Sequence, residues 1–113
     1  MAIAGPEVPI GGDAVTSLAL VLHELATNAA KYGALSTPGG RIDVSWTVST
    51  GKLELRWEER DGPTVHGPPA REGFGSMLAR RSLNGQLQGD LAFDWDKQGL
   101  TVRLWAALER LLP

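Results

Sequence analysis

His23-Glu24-Leu25-Ala26-Thr27-Asn28-Ala29-Ala30-Lys31-Tyr32-Gly33-Ala34-Leu35 is the stretch on which the reading of this chain turns. With successive side chains about 100° apart around a helix, Glu24, Asn28 and Lys31 fall within roughly 60° of one another. Leu18, Val21, Leu22, Leu25 and Ala29 gather on another side and face a core. The polar stripe therefore aligns a carboxylate, a carboxamide and an ammonium. These suit, in turn, a water or nucleophile, a hard cation and a phosphate, which together suggest a magnesium–nucleotide site. The bland alternative is a solvated helix with a Glu24–Lys31 charge pair and an incidental Asn.

Working outward, Asp13 is the expected N-cap of this helix, which runs to about Tyr32 and stops at Gly33. Before it, Gly5-Pro6 and Gly11-Gly12 flank a short extended piece, Glu7 to Ile10, which reads as an edge strand. After it, Ser36-Thr37-Pro38-Gly39-Gly40 is a turn, and the hydrophobic period changes from 3.6 to 2. Ile42, Val44, Trp46 and Val48 alternate with polar residues; Ser49-Thr50-Gly51-Lys52 turns the chain; Leu53, Leu55 and Trp57 then alternate with Glu54, Arg56 and Glu58. That is a β-hairpin with one apolar face.

Residues 60–72 hold Asp61-Gly62-Pro63, Gly67-Pro68-Pro69 and charges of both signs, a loop too rich in proline to pair in a sheet. Gly73-Phe74-Gly75-Ser76 opens a second helix, with Met77, Leu78 and Leu83 as its expected inner residues. Two further strands follow: Leu87 to Trp95, with an internal turn near Gly89-Asp90, and Leu100 to Trp105. Residues 106–113 form a tail that reads as a short helix. Two helices packed on one face of a mixed, mostly antiparallel sheet make an α+β two-layer sandwich.

Composition bounds the function classes. The 113 residues make one domain, able to bury roughly 65% of its unfolded surface. An apolar fraction of 42% and a charged fraction of 21% are those of a globular protein, and the absence of cysteine excludes a disulfide framework or a thiolate metal site. A net charge of −2 gives no general attraction to nucleic acid or to anionic membranes. No apolar run approaches spanning length, and the first ten residues lack the pattern of a signal peptide.

Two further pieces carry chemistry. Glu59 continues the series Leu53, Leu55, Trp57 on the face that meets the helices. A carboxylate at such a position must be paired or face a ligand, and a natural partner is a donor such as the exocyclic amine of adenine. Otherwise Glu59 lies beyond the last paired residue and reaches water. Gly73 and Gly75 let backbone approach an anion, and the helix behind them points N–H groups at it; many such glycine pairs are only turns with a helix cap. Arg80 and Arg81 on the same helix can reach phosphates but read more simply as solvated surface charges.

With the three pieces in this order, the chain resembles the catalytic, ATP-binding domain of bacterial sensor histidine kinases of the HWE type. These belong to the superfamily shared by DNA gyrase, a heat-shock chaperone family and MutL, with the Bergerat ATP-binding fold. The stretch from His23 to Leu35 looks like the whole N box, Trp57-Glu58-Glu59 matches the Trp-x-Glu motif, and Gly73-Phe74-Gly75-Ser76 looks like the G2 box. The resemblance runs from about Gly5 to Trp105.

The resemblance implies roles. Asn28 would hold Mg²⁺ with the ATP phosphates, Glu24 would stand near the metal and the γ-phosphate, and Lys31 would contact phosphate. Glu59 stands where most relatives bind the adenine amine through an Asp. Gly62, Gly73, Phe74, Gly75 and Ser76 would cradle the nucleotide under a short lid, 61–72, and Thr101 would add a polar contact at the adenine end. Where the family has Gly-Gly-Pro, this chain has Asp61-Gly62-Pro63, so Asp61 is expected close to the base, narrowing the pocket or repelling phosphate.

The implied function is the ATP-binding catalytic module of a cytoplasmic two-component histidine kinase. It would pass the γ-phosphoryl group to a His on a separate dimerisation and phosphoacceptor domain and act on a response regulator only indirectly. Because the family's phosphoacceptor helix is not among these residues, autophosphorylation of this chain is not expected. His23 points away from the polar stripe, and His66 reads as a solvated loop residue. Two alternatives stay open: a degenerate interaction module of the same fold, or a serine kinase of the anti-sigma-factor type, against which the His and Trp-x-Glu markers argue.

Overall fold

A computed structural model describes residues 2–65 and 74–113 of the chain. A short strand β1 (Ala2–Ala4) leads into helix α1 (Gly12–Lys31). The hairpin β2 (Arg41–Ser49) and β3 (Lys52–Arg60) follows, then helix α2 (Phe74–Gln86), strands β4 (Asp90–Asp96) and β5 (Gly99–Ala107), and a single turn of helix, α3 (Leu108–Leu111). The five strands form one sheet in the order β1-β2-β3-β5-β4. All pairings are antiparallel except β1 with β2, so the expected mixed sheet is present.

Parity decides which residues meet the helices. Leu53, Leu55 and Trp57 on β3 lie opposite, in turn, Ala106, Leu104 and Val102; Glu59 and Leu100 continue the same face by parity, and all of these are buried. The helices supply Ala14, Val21, Leu25 and Ala29 from α1, and Ala79 and Leu83 from α2. Leu111 of α3 closes one end and is fully buried. Each large apolar side chain so removed from water contributes about 1.5–3 kcal/mol. The other face of the sheet carries Arg56, Glu58 and Arg60 in ion pairs of 3.1 Å and 3.4 Å, exposed enough to add little.

Several expectations are corrected. The edge strand is Ala2–Ala4 rather than Glu7 to Ile10. Pro6 and Pro9 have no N–H to give a ladder, and 5–11 instead form a strap: Trp46 Nε1 donates to the Pro6 carbonyl (2.6 Å), and Val8 and Ile10 pack against the core. Gly11, whose N–H donates to the Leu111 carbonyl at 2.7 Å, is the N-cap of α1; Asp13 sits in the first turn without a capping bond.

On α2 the inner residues are Ala79 and Leu83, followed by Leu87 beyond its end, spaced by four; Met77 and Leu78 are 43% and 40% exposed. β4 begins at Asp90, because residues 87–89 close the helix. Gln88 takes a positive φ of 49°, and both Leu87 and Gly89 donate to the Leu83 carbonyl. Arg80 is not a free surface charge either: it bonds Asp90 Oδ1 and the Leu91 carbonyl, each at 3.4 Å, and lies 5.6 Å from the centre of the Phe93 ring.

The β2–β3 turn has Thr50 at φ 55° and Gly51 at φ 72°, the doubly positive geometry of a two-residue hairpin. A β-branched residue is strained there. Thr50→Asn is therefore expected to raise stability by about 0.5–1 kcal/mol, read as a shift of the urea midpoint with unchanged m.

Candidate functional site

Glu59 is the one buried ionisable side chain among the described residues. It is 4% exposed, at the last turn of alternation on β3. Its neighbour on the same face, Trp57, is equally buried and donates its indole Nε1–H to Glu59 Oε2 at 3.0 Å. The backbone N–H of Ala34 donates to the other oxygen, Oε1, also at 3.0 Å. Between them the two bonds compensate burial of a carboxylate. A carboxylate offers about four acceptor positions, so roughly two remain for a ligand.

Ala34 is brought there by the end of α1. Tyr32 N–H and Gly33 N–H close the last turn on the Asn28 and Ala29 carbonyls, and Ala34 to Ser36 form a turn of 3-10 helix under the strand end. The passage is tight. A Cβ at Gly33 would overlap Glu59 Oε1, and one at Gly62 would stand 2.6 Å from Ala34 Cα. These two glycines are present because the carboxylate and the Ala34 backbone occupy the space a side chain would need.

Around this carboxylate lies a small recess, partly open to solvent, lined among the described residues by Gly33, Ala34, Glu59, Gly62, Pro63, Val65, Gly99 and Leu100. Glu59 and Gly62 were expected at such a site. Pro63 and Val65 belong to the expected lid, whereas Gly33, Ala34, Gly99 and Leu100 had been given no role at the site. For Gly99 the only signal was its identity: its φ is +149°, and a Cβ would overlap the Glu59 carbonyl oxygen.

The polar stripe occupies the last two turns of α1, leading into the cavity wall. Asn28 Nδ2 donates to Glu24 Oε2 at 3.3 Å, which turns the amide so that Oδ1 is its other arm. Both residues are half-buried and Lys31 is exposed. At a rise of about 1.5 Å per residue, Asn28 lies about 4.5 Å along the axis from Lys31, where α1 ends two residues before Gly33. Among the described residues no cluster of three or more His, Asp or Glu stands ready for a metal. A cation that keeps its waters and is held by phosphates needs only one or two protein ligands, so an Asn28 carbonyl beside the Glu24 carboxylate fits magnesium with a nucleotide rather than magnesium alone.

Two expected positions, Thr101 and Asp61, fall elsewhere. Thr101 pairs with Glu58 and so projects from the opposite face of the sheet, where its hydroxyl accepts from Arg60 Nη2 at 3.2 Å. Leu100, one residue earlier, is the β5 residue that reaches the cavity. Asp61 takes a φ of 61°, a conformation in which glycine is at ease, and points outward, its Oδ2 3.7 Å from Arg41 Nε; it does not line the cavity. Gly73, His66 and the lid beyond Val65 lie outside the described residues, as do the side chains of Phe74, Gly75 and Ser76. His23 is exposed on α1.

Known proteins share both sequence and fold with this chain. Blue-light-activated histidine kinase 1 of Erythrobacter litoralis is 45% identical over 94 residues, 79% of this chain and 26% of that protein. A blue-light-activated histidine kinase of Rhizobium johnstonii is 40% identical over 102 residues, 87% of this chain and 29% of its own length. The chain thus spans between 22% and 29% of the length of the relatives it matches. No family model matches it.

Among solved structures, the histidine kinase domain of an Erythrobacter litoralis blue-light activated histidine kinase superposes with a TM-score of 0.79 at 20% identity, covering 97% of this chain and 55% of that one. The catalytic domain of the histidine kinase ThkA superposes with a TM-score of 0.70 at 15% identity, covering 96% of this chain and 79% of that one. The chain is thus similar in sequence to part of these histidine kinases and shares the fold of histidine kinase catalytic domains.

Proposed function

We propose that this chain is the ATP-binding module of an HWE-type two-component histidine kinase. The observation that carries the reading is the buried Glu59 carboxylate in a glycine-walled cavity, at the end of a helix bearing Glu24, Asn28 and Lys31. The base lies in the cavity, its amine donating to Glu59. The phosphates extend toward the α1 stripe, where Asn28 would hold Mg²⁺ through its side-chain carbonyl and Lys31 would offset phosphate charge. Bound magnesium supplies charge neutralisation on the phosphates; Glu24 orients the Asn28 amide through the bond it already makes.

In the assembled kinase the imidazole of a His on a separate domain attacks the γ-phosphorus. A P–N bond forms, the bond to the β-phosphate oxygen breaks, and ADP leaves. The chain's part is positioning and charge. No helix among the described residues is long and apolar enough to cross a membrane, and a nucleotide-dependent module of this kind works on the cytoplasmic side.

Calorimetry of ATP binding with and without Mg²⁺ tests this. Wild-type protein should bind ATP in a magnesium-dependent manner, and Asn28→Ala should lose about 100-fold in the Mg-dependent part. The isolated chain should not accumulate stable phosphate. A folded wild-type chain that does not bind ATP would instead favour an interaction module of the same fold.

A further inference from the structure

Trp57 is an apolar residue on the inner face of β3 and the first residue of the Trp-x-Glu motif, and packing accounts for its ring. Packing does not account for its nitrogen. A buried indole N–H needs an acceptor, and here the acceptor is the one carboxylate that lines the cavity among the described residues. Two residues apart on one strand, Trp57 and Glu59 share a face by parity, so the bond holds the carboxylate from below while Ala34 N–H holds it from the side. The two fixed donors engage one oxygen each and leave both oxygens as acceptors only. A ligand atom meeting Glu59 must then be a donor.

We infer that Trp57 is a positioning residue for base selection: its indole N–H fixes the Glu59 carboxylate so that the cavity accepts a purine carrying a 6-amino donor and disfavours one without it. This rests on the nucleotide reading above. Without the Trp57 bond the Glu59 side chain keeps one anchor, at Ala34, and gains rotation about its last torsion. The carboxylate then meets the base less consistently and discrimination falls, while the phosphate contacts on α1 are untouched. A merely structural role predicts something different, because loosening the strand weakens every nucleotide alike.

The test compares magnesium-dependent binding of ATP and of purine riboside triphosphate, which lacks the 6-amino group, to wild-type protein and to Trp57→Phe. Wild-type protein should prefer ATP by about ten- to hundred-fold, the range expected for one hydrogen bond to a charged acceptor. In Trp57→Phe the preference should fall to about three-fold or less, with affinity for the desamino nucleotide nearly unchanged. A variant that keeps the full preference overturns the inference, as does a wild-type chain that binds both nucleotides equally.

Binding of neither nucleotide by folded wild-type protein defeats the nucleotide reading itself, and the inference with it. Should Trp57→Phe fail to fold, the wild-type indole resonance of Trp57, assigned with Phe variants of Trp46, Trp95 and Trp105, gives the answer. It should move on addition of ATP and not of the desamino nucleotide; an equal response, or none, overturns the inference.

Discussion

Glu59→Ala is expected to lower the unfolding free energy by about 2–5 kcal/mol and to abolish adenine-dependent binding. Two buried donors, the Ala34 amide and the Trp57 indole, lose the acceptor they have among the described residues. An orphaned buried donor costs about 1–3 kcal/mol. Glu59→Gln is not a mild substitute. Its single carbonyl oxygen can serve one donor, while its NH₂ must face the other, so about half of the loss should remain. Urea unfolding of the three proteins checks the ranking: wild type, then Gln, then Ala. An alanine variant as stable as wild type would mean that solvent enters and takes over both bonds.

The second large effect is expected from Gly62→Ala. The added Cβ would stand 2.6 Å from Ala34 Cα and 3.1 Å from its nitrogen, backbone atoms with no rotamer to retreat into. Overpacking of this kind costs about 1–3 kcal/mol. It also pushes Ala34 away from Glu59 Oε1, so the Glu59 bond is lost from the donor side instead of the acceptor side. The two substitutions should therefore be non-additive. A cycle of Gly62→Ala, Glu59→Ala and the double variant should show a coupling of about 0.5–3 kcal/mol, the double variant losing less than the sum. Simple additivity would mean that Gly62 acts independently of the carboxylate.

Much of this architecture was legible in the residues because apolar periodicity is a strong local signal. The alternation through Trp57 and the stripe on α1 put the hairpin and the helix where they are found, and the same parity put Glu59 inside. Where the fold depended on contacts distant in sequence, the signal was missing. Nothing in Ala2–Ala4 announces a parallel edge strand, and nothing near Glu59 names Ala34 as its partner across 25 positions. The inner face of α2 was misread because Ala79 looks unimportant beside Met77 and Leu78, although the spacing Ala79, Leu83, Leu87 was available. Thr101 was misplaced against the chain's own parity: Leu100, Val102 and Leu104 already committed their neighbours to the other face.

The strand order bears on how the molecule comes into being. β2 and β3 meet across the Thr50–Gly51 turn and can zip together locally, an event of about 1–10 μs for a hairpin. β3 and β5 pair over Lys52 with Ala107 through Glu58 with Thr101, so the middle of the sheet waits for everything between them. Closing contacts so remote in sequence is entropically slow. The cavity straddles that late seam, with Glu59 on one bank and Gly99 and Leu100 on the other. No half-formed intermediate owns it. A ligand that binds there can recognise only the finished protein, so its binding energy adds in full to global stability, and saturating nucleotide should slow exchange of the most protected amides rather than only those beside the cavity.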